Sequence, residues 1–528
     1  MTSSRRRILG YLSLAALTAW TLPAGAETAA AVFLPRSTPE AQGVSTAGIQ
    51  AFLDAIAQGR FELHSLMMLR HGHVIAEGWW SPYAPDLKHA MYSMSKSFTS
   101  TAVGFAVTEG KLTVEDKVIS FFPDDLPTKI SDNLAALRVK DLLTMSVGNE
   151  KEPTGAVVKE ENWVRTFLAQ PITHQPGTVF MYNSVATYMC SAIVQKVTGQ
   201  KIIDYLTSRL FEPLGISGMT WEECPRGINT GGWGLSIRTE GLAKFGQLFL
   251  QKGQWQGKQI LPAKWIEEAT TFKIQQPVSF KAGRPTEKND WQQGYAYQFW
   301  RCQNDAFRGD GAFGQFTIVL PEQDAVIIMT SESKDMQGIL DHVWQHLLPA
   351  CKPQALAADT ASQSRLQQTL KSLALTPPKA KVISPTAVGI TGKTFTLLTN
   401  DLGLTNVTFT FDDKGCTFVA HGEAAEHTIR HGLEGWQLGE TALPGTPPRL
   451  ISGGAPKKQP TSKLAASATW QDDDNLELTW RYIETPHHDT VTCEFEGDQV
   501  TIHFLNSLAE MSGKTKDQRP VLTGRFIR

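Results

Sequence analysis

Ser93-Met94-Ser95-Lys96 runs directly into Ser97-Phe98-Thr99-Ser100-Thr101-Ala102-Val103-Gly104-Phe105-Ala106-Val107, a stretch of small and apolar residues at helical spacing. That pattern predicts a buried helix with Ser93 at its N-terminus, where the positive end of the helix dipole favours developing negative charge. A lysine three residues after a serine returns to the same face about one turn on. A serine hydroxyl is a weak nucleophile until a base takes its proton. A lysine amine becomes that base when desolvation or a nearby positive charge lowers its pKa. The segment can therefore place an amine beside a reactive hydroxyl, and on this motif alone an ordinary helix N-cap serine is the equal alternative.

S-x-x-K occurs a second time, at Ser331-Glu332-Ser333-Lys334. No tyrosine follows it until Tyr482, inside a strand-like run, so it reads as a loop before the helix-like stretch 336–348. Ser93, by contrast, is followed downstream by Pro176-Gly177-Thr178-Val179-Phe180-Met181-Tyr182-Asn183-Ser184.

Further segments flank this pair. Ser65–Arg70 and His73–Glu77 around the His71-Gly72 turn read as a β-hairpin. Val139–Gly148, Leu210–Ile216, Gly231-Gly232-Trp233-Gly234-Leu235 and Gly309-Asp310-Gly311-Ala312-Phe313-Gly314-Gln315 follow in order. Over roughly residues 35 to 350 this ordered set resembles the serine β-lactamase and penicillin-recognising superfamily. It is most similar to the class C-like branch, which holds class C β-lactamases, DD-peptidases, family VIII carboxylesterases and 6-aminohexanoate-dimer hydrolases.

The resemblance implies an α+β fold, an antiparallel sheet flanked by helices with an all-helical insertion, and an acyl-enzyme mechanism. It implies Ser93 as nucleophile, Lys96 as general base and Tyr182 as the proton-relaying tyrosine of a Y-x-N element. The expected oxyanion donors are the backbone N–H groups of Ser93 and of the Gly311-Ala312 strand, with Ala312 favoured. Two departures stand out. Ser184 occupies the usual asparagine position. No K-T-G follows, the matching strand reading Phe307-Arg308-Gly309-Asp310-Gly311, so Arg308 is the expected substitute for the missing cation and Gly309 or Gly311 the motif glycine. The departures lower the case for β-lactam turnover.

Among hydrolases, an esterase or amidase comes first, a D-amino-acid-specific peptidase or carboxypeptidase second and a class C-like β-lactamase third. The rival from another class is a non-catalytic penicillin-recognising sensor. The expected substrate is a small molecule or short peptide, with no cofactor. A net charge of −2 carries no basic excess for nucleic acid. His71/His73, His427/His431 and His487/His488 lack metal-ligand spacing, so they read as turns or solvated strand ends and no metal is expected.

The chain reads as 1–26 signal peptide, 27–352 serine hydrolase domain, 353–384 connector and 385–528 β-rich domain. Arg5-Arg6-Arg7, the apolar run Ile8–Leu22 and Ala24-Gly25-Ala26 carry the export reading, to the periplasm or beyond, with twin-arginine and general secretory routes both open and no membrane anchor. The pairs Cys302/Cys351 and Cys416/Cys493 are possible bridges, and free buried thiols are the equal alternative. Alternating Thr, Val and aromatics in 393–397, 407–411, 476–482 and 500–504 predict an all-β C-terminal domain. Its Trp436, Trp470 and Trp480 read as core in preference to a sugar platform, and 453–463 as a mobile loop.

Overall fold

The computed structural model describes residues 34–59, 61–378, 383–423, 425–451 and 461–526. The segment read as a signal peptide lies outside the described residues, as does most of the 453–463 loop.

All eight residues of the strand Leu63–Arg70 are buried. A strand with two apolar faces needs cover on both sides. Met67 and Leu69 join one core with Phe98, Ala102 and Phe245, whereas Leu66 and Met68 join another with Ile49, Phe52 and Leu340. The strand therefore lies inside an antiparallel six-stranded sheet, ordered His73–Trp79, Leu63–Arg70, Ala325–Ser331, Gln315–Leu320, Phe307–Gly311, Trp300–Arg301. The helices Ser95–Thr108 and Thr239–Leu250 cover one face; Thr46–Gln58 and Met336–His342 cover the other. Between Tyr92 and Thr270 the chain is mainly helical, which is the expected insertion. Among the described residues no helix is long and apolar enough to cross a membrane.

The C-terminal domain is a β-barrel of ten strands, its sheet rolled up so that Gly432 bridges Ser467. Alternate residues such as Phe409, Trp480, Val491 and Ile502 fill its interior. Trp470 and Trp480 are core, as expected; Trp436 is half-buried and donates its Nε1–H to the Leu375 carbonyl (2.7 Å). The helix Thr360–Lys371, in the stretch read as a connector, buries Leu366 in the catalytic core beside Phe52 and Ile56.

One choice left open is decided and three expectations need correction. All six cysteines are free, so neither proposed bridge forms: Cys302 Sγ instead accepts from Arg308 Nη1 (3.1 Å), and Cys416 and Cys493 are buried thiols of the barrel interior. Ser331 ends a buried central strand and is not loop. Ser462 and Lys463 open the strand Ser462–Trp470, so the C-terminal edge of the expected loop is sheet. His487 and His431 are fully buried and hydrogen-bonded, not solvated ends.

Candidate active site

Tyr92–Met94 form a single 3-10 turn, and the α-helix Ser95–Thr108 continues from it. Ser93 is half-buried at this junction, and Lys96 is 2% exposed one turn on. Lys96 Nζ has three oxygen neighbours: the Gly232 carbonyl at 2.5 Å, Ser93 Oγ at 3.1 Å and Ser184 Oγ at 3.2 Å. Burial drives its pKa down to about 7, against the opposing pull of the Glu152 and Asp310 carboxylates. Burial disfavours the charged form of an amine, so a neutral Lys96 is accessible near neutral pH.

The Gly231-Gly232 segment is fixed by Thr99, whose Oγ1 donates to the Gly231 carbonyl (2.9 Å). A Cβ on Gly232 would lie 2.3 Å from the Ser184 backbone oxygen, so only glycine lets this loop approach the helix Ser184–Thr198.

Tyr182 sits just before that helix. Asn183 caps the helix, accepting from Ala186 N–H (3.0 Å), and its Nδ2 donates to Asn149 Oδ1 (3.1 Å). The Tyr182 ring stacks on Trp300 with 5.7 Å between centroids and lies 4.9 Å from Lys96 Nζ. Burial and the Asp310 charge push its pKa up, with the Ser93 hydroxyl opposing. Tyr182 therefore keeps its proton near neutral pH and can only donate it.

The strand Phe307–Gly311 alternates its faces. Gly309 and Gly311 face the turn that carries Ser93: a Cβ at Gly309 would lie 2.4 Å from Met94 sulfur, and one at Gly311 2.1 Å from the Met91 carbonyl. Arg308 and Asp310 take the other face. Arg308 is fully buried, pairs with Asp310 (2.9 Å), donates to the Asp290 carbonyl (2.9 Å) and lies over the Trp291 ring. Arg308 as a substitute for the missing lysine is thus corrected, because its charge is spent inside the fold. The Gly311 carbonyl accepts from Gly314 N–H (3.2 Å). In a planar trans peptide this turns the Ala312 N–H the opposite way.

Sequence reading found Ser93, Lys96, Tyr182 and Ser184, and the structure brings all four together. It missed the Gly232 carbonyl, although the glycine run had been singled out. It also missed Glu152, whose Oε1 accepts from Ser184 N–H (3.2 Å), and the role of Asp310. Trp291, Tyr295 and Tyr297 of the 289–300 loop are buried, and Trp291 and Tyr295 pack around Trp300 behind Tyr182.

One group of side chains among the described residues has the composition of a metal site: Glu62, Glu332 and His488. Its charge is already met, since Arg481 Nη1 lies 2.5 Å from Glu62 Oε1 and the Glu332 oxygens accept from His487, His488 and Ser507.

The family profile described as Beta-lactamase matches residues 49–348, more than half of the chain. The chain belongs to the β-lactamase family. Its place is with the class C-like members, and it is a hydrolase of that family. It is 25% identical over 294 residues to a 6-aminohexanoate-dimer hydrolase of Paenarthrobacter ureafaciens, covering 51% of this chain and 73% of that protein. It is 26% identical over 153 residues to a putative D-alanyl-D-alanine carboxypeptidase of Escherichia coli K12, covering 26% of this chain and only 35% of that protein. Among solved structures, a putative 6-aminohexanoate-dimer hydrolase from Bacillus anthracis aligns with a TM-score of 0.48 at 19% identity, covering 60% of this chain and 87% of the other.

Proposed function

We propose that this family hydrolase cleaves an ester or amide bond through an acyl-enzyme on Ser93. The observation that carries this is the Lys96 amine, desolvated to a pKa of about 7 and 3.1 Å from Ser93 Oγ. Lys96 takes the Ser93 proton as Oγ bonds to the carbonyl carbon. The oxyanion is met by the N–H groups of Ser93 and Ala312, and one such donor contributes about 2.7–4 kcal/mol. Collapse breaks the bond to the alcohol or amine, which leaves with a proton passed from Tyr182; Tyr182 is reprotonated from Lys96. Water then attacks the acyl carbon by the same route, releasing acid and free Ser93. Ser184 holds Lys96 in line.

Arg308 is consumed by Asp310, so the strand that carries a carboxylate-binding lysine in β-lactamases offers no free cation. That supports an esterase or amidase over a β-lactamase. The intact Ser93, Lys96 and Tyr182 constellation supports an enzyme over a sensor. The basic and apolar residues 5–26 support an exported enzyme. A p-nitrophenyl ester, a D-Ala-D-Ala peptide and a chromogenic cephalosporin, compared by kcat/KM on the mature protein, test the ordering. The ester is expected to be fastest; a cephalosporin turned over faster than the ester overturns it.

A further inference from the structure

The barrel turn 482–487 reaches the catalytic domain beside the nucleophile. Ala90 N–H donates to the Glu484 carbonyl (2.9 Å), and the Tyr83 hydroxyl donates to the Thr485 carbonyl (2.9 Å). Two residues after Thr485 is His487, which is fully buried. Its Nε2 hydrogen-bonds the Tyr92 hydroxyl, and its Nδ1 lies 2.6 Å from Glu332 Oε1. A carboxylate only accepts, so Nδ1 carries a hydrogen and Nε2 is the atom that faces the Tyr92 hydroxyl. Glu332 is itself held by Ser507 Oγ (2.5 Å) and His488 Nδ1 (2.9 Å), both from the barrel domain.

Tyr92 is the residue before Ser93, and its φ is +47°. A bulky side chain occupies that region only when its surroundings impose it. The Tyr92 ring meets Phe313 edge-on at 5.6 Å, and His487 meets Phe313 at 5.1 Å. Phe313 (φ +70°) follows Ala312. One three-ring cluster thus abuts both the residue before the nucleophile and the residue after the second oxyanion donor.

We infer that the barrel domain is a working part of the active site, with His487, oriented by Glu332, as the positioning residue that holds Tyr92 and Phe313 and through them Ser93 and the Ala312 N–H. This rests on Ser93 being the nucleophile. It also gives the second S-x-x-K a purpose: Glu332 within it is the anchor of the domain contact.

The test compares full-length wild type, Tyr92→Phe, His487→Ala, His487→Gln and the Tyr92→Phe/His487→Ala double variant. Readouts are the rate of fluorophosphonate labelling, kcat and KM on a p-nitrophenyl ester, and circular dichroism. The expected result is a loss in labelling rate and kcat of about 10- to 100-fold for each single variant, as small misplacements of reacting groups produce. KM should stay within about threefold, the double variant should be no worse than the worse single one, and His487→Gln should recover part of the rate. Labelling of His487→Ala at the wild-type rate overturns the inference, as does a double variant whose loss is the product of the two. If His487→Ala does not fold, Tyr92→Phe with Glu332→Gln poses the same coupling question. Absence of labelling on wild type itself would overturn the reading of Ser93, and this inference with it; normal labelling unaffected by the variants would overturn this inference alone.

Discussion

Lys96 makes its shortest hydrogen bond, 2.5 Å, to the backbone carbonyl of Gly232, and not to Ser93, whose Oγ is 3.1 Å away. A neutral amine has two hydrogens and one lone pair. The Gly232 carbonyl can only accept and takes one hydrogen; Ser184 Oγ takes the other. The lone pair is left facing the Ser93 hydroxyl, which donates to it. Gly232 and Ser184 thus orient the neutral amine toward Ser93, as the proposed role of Lys96 requires.

The pH dependence follows from this arrangement. Below about 7 the Lys96 amine is protonated and has no lone pair to offer. Fluorophosphonate labelling and kcat/KM are expected to rise with pH through about 7 as a single ionisation. Lys96→Arg, which cannot deprotonate in this range, should lose about 10³-fold on the alkaline plateau and show no ionisation near 7, within the span of general-base effects. A labelling rate that is flat from pH 5 to 9 would exclude Lys96 as the base.

Gly232→Ala places a methyl 2.3 Å from the Ser184 backbone oxygen, so the loop must retreat and take the Lys96 acceptor with it. The expected loss in kcat is about 10²-fold, with secondary structure unchanged by circular dichroism. Activity within a few-fold of wild type would show that the Gly232 carbonyl does not orient the amine.

Tyr182 stays protonated, so its contribution should scale with how much the leaving group needs a proton. Tyr182→Phe is expected to cost about 10²-fold on an anilide and less than about tenfold on a p-nitrophenyl ester, whose phenolate leaves unaided. Equal losses on both substrates would point to a structural part for the ring against Trp300.

The domain interface carries its own pH signature. Burial opposes the charge on His488, but the Glu332 and Glu510 carboxylates prevail and raise its pKa to about 9, from an ordinary 6.5. A raised pKa stabilises the fold below about 6.5, and that gain disappears as pH climbs through about 9. On the acid side burial favours the protonated forms of Glu62 and Glu332, yet Arg481 and His64 hold Glu62 down to about 2 and His487 and His488 hold Glu332 below the usual carboxylate range. Their contribution is present above about 4.5 and is lost as pH falls toward about 2. His488→Gln should therefore melt below wild type at pH 6, by on the order of 2 kcal/mol, and match it at pH 10. Taking the difference between variant and wild type removes the opposite trend of Lys96, whose lowered pKa makes stability rise from about 7 upward. An equal deficit at both pH values would contradict the assignment of charge to His488.

Much of the catalytic half was legible because its signals are local. Ser93 and Lys96 lie three residues apart, and Tyr182 and Ser184 stand in a recognisable run from Pro176 to Ser184. The Gly232 acceptor was not legible, because a backbone carbonyl carries no residue identity. Arg308 was misassigned because strand alternation sets its face: one position along from Gly309, its side chain points away from the nucleophile. His487 read as a turn or a solvated strand end; the turn is there, but the burial of this histidine was not legible because it depends on Tyr92 and Glu332, each more than a hundred residues away in sequence. Neither half of that contact looks unusual alone; only the docking of the two domains pairs them.

Intact mass after fluorophosphonate treatment of the mature protein, beside Ser93→Ala, tests the central claim most directly. One adduct on wild type and none on the variant is the predicted result. An adduct on both proteins, or on neither when both are folded, would contradict Ser93 as the nucleophile.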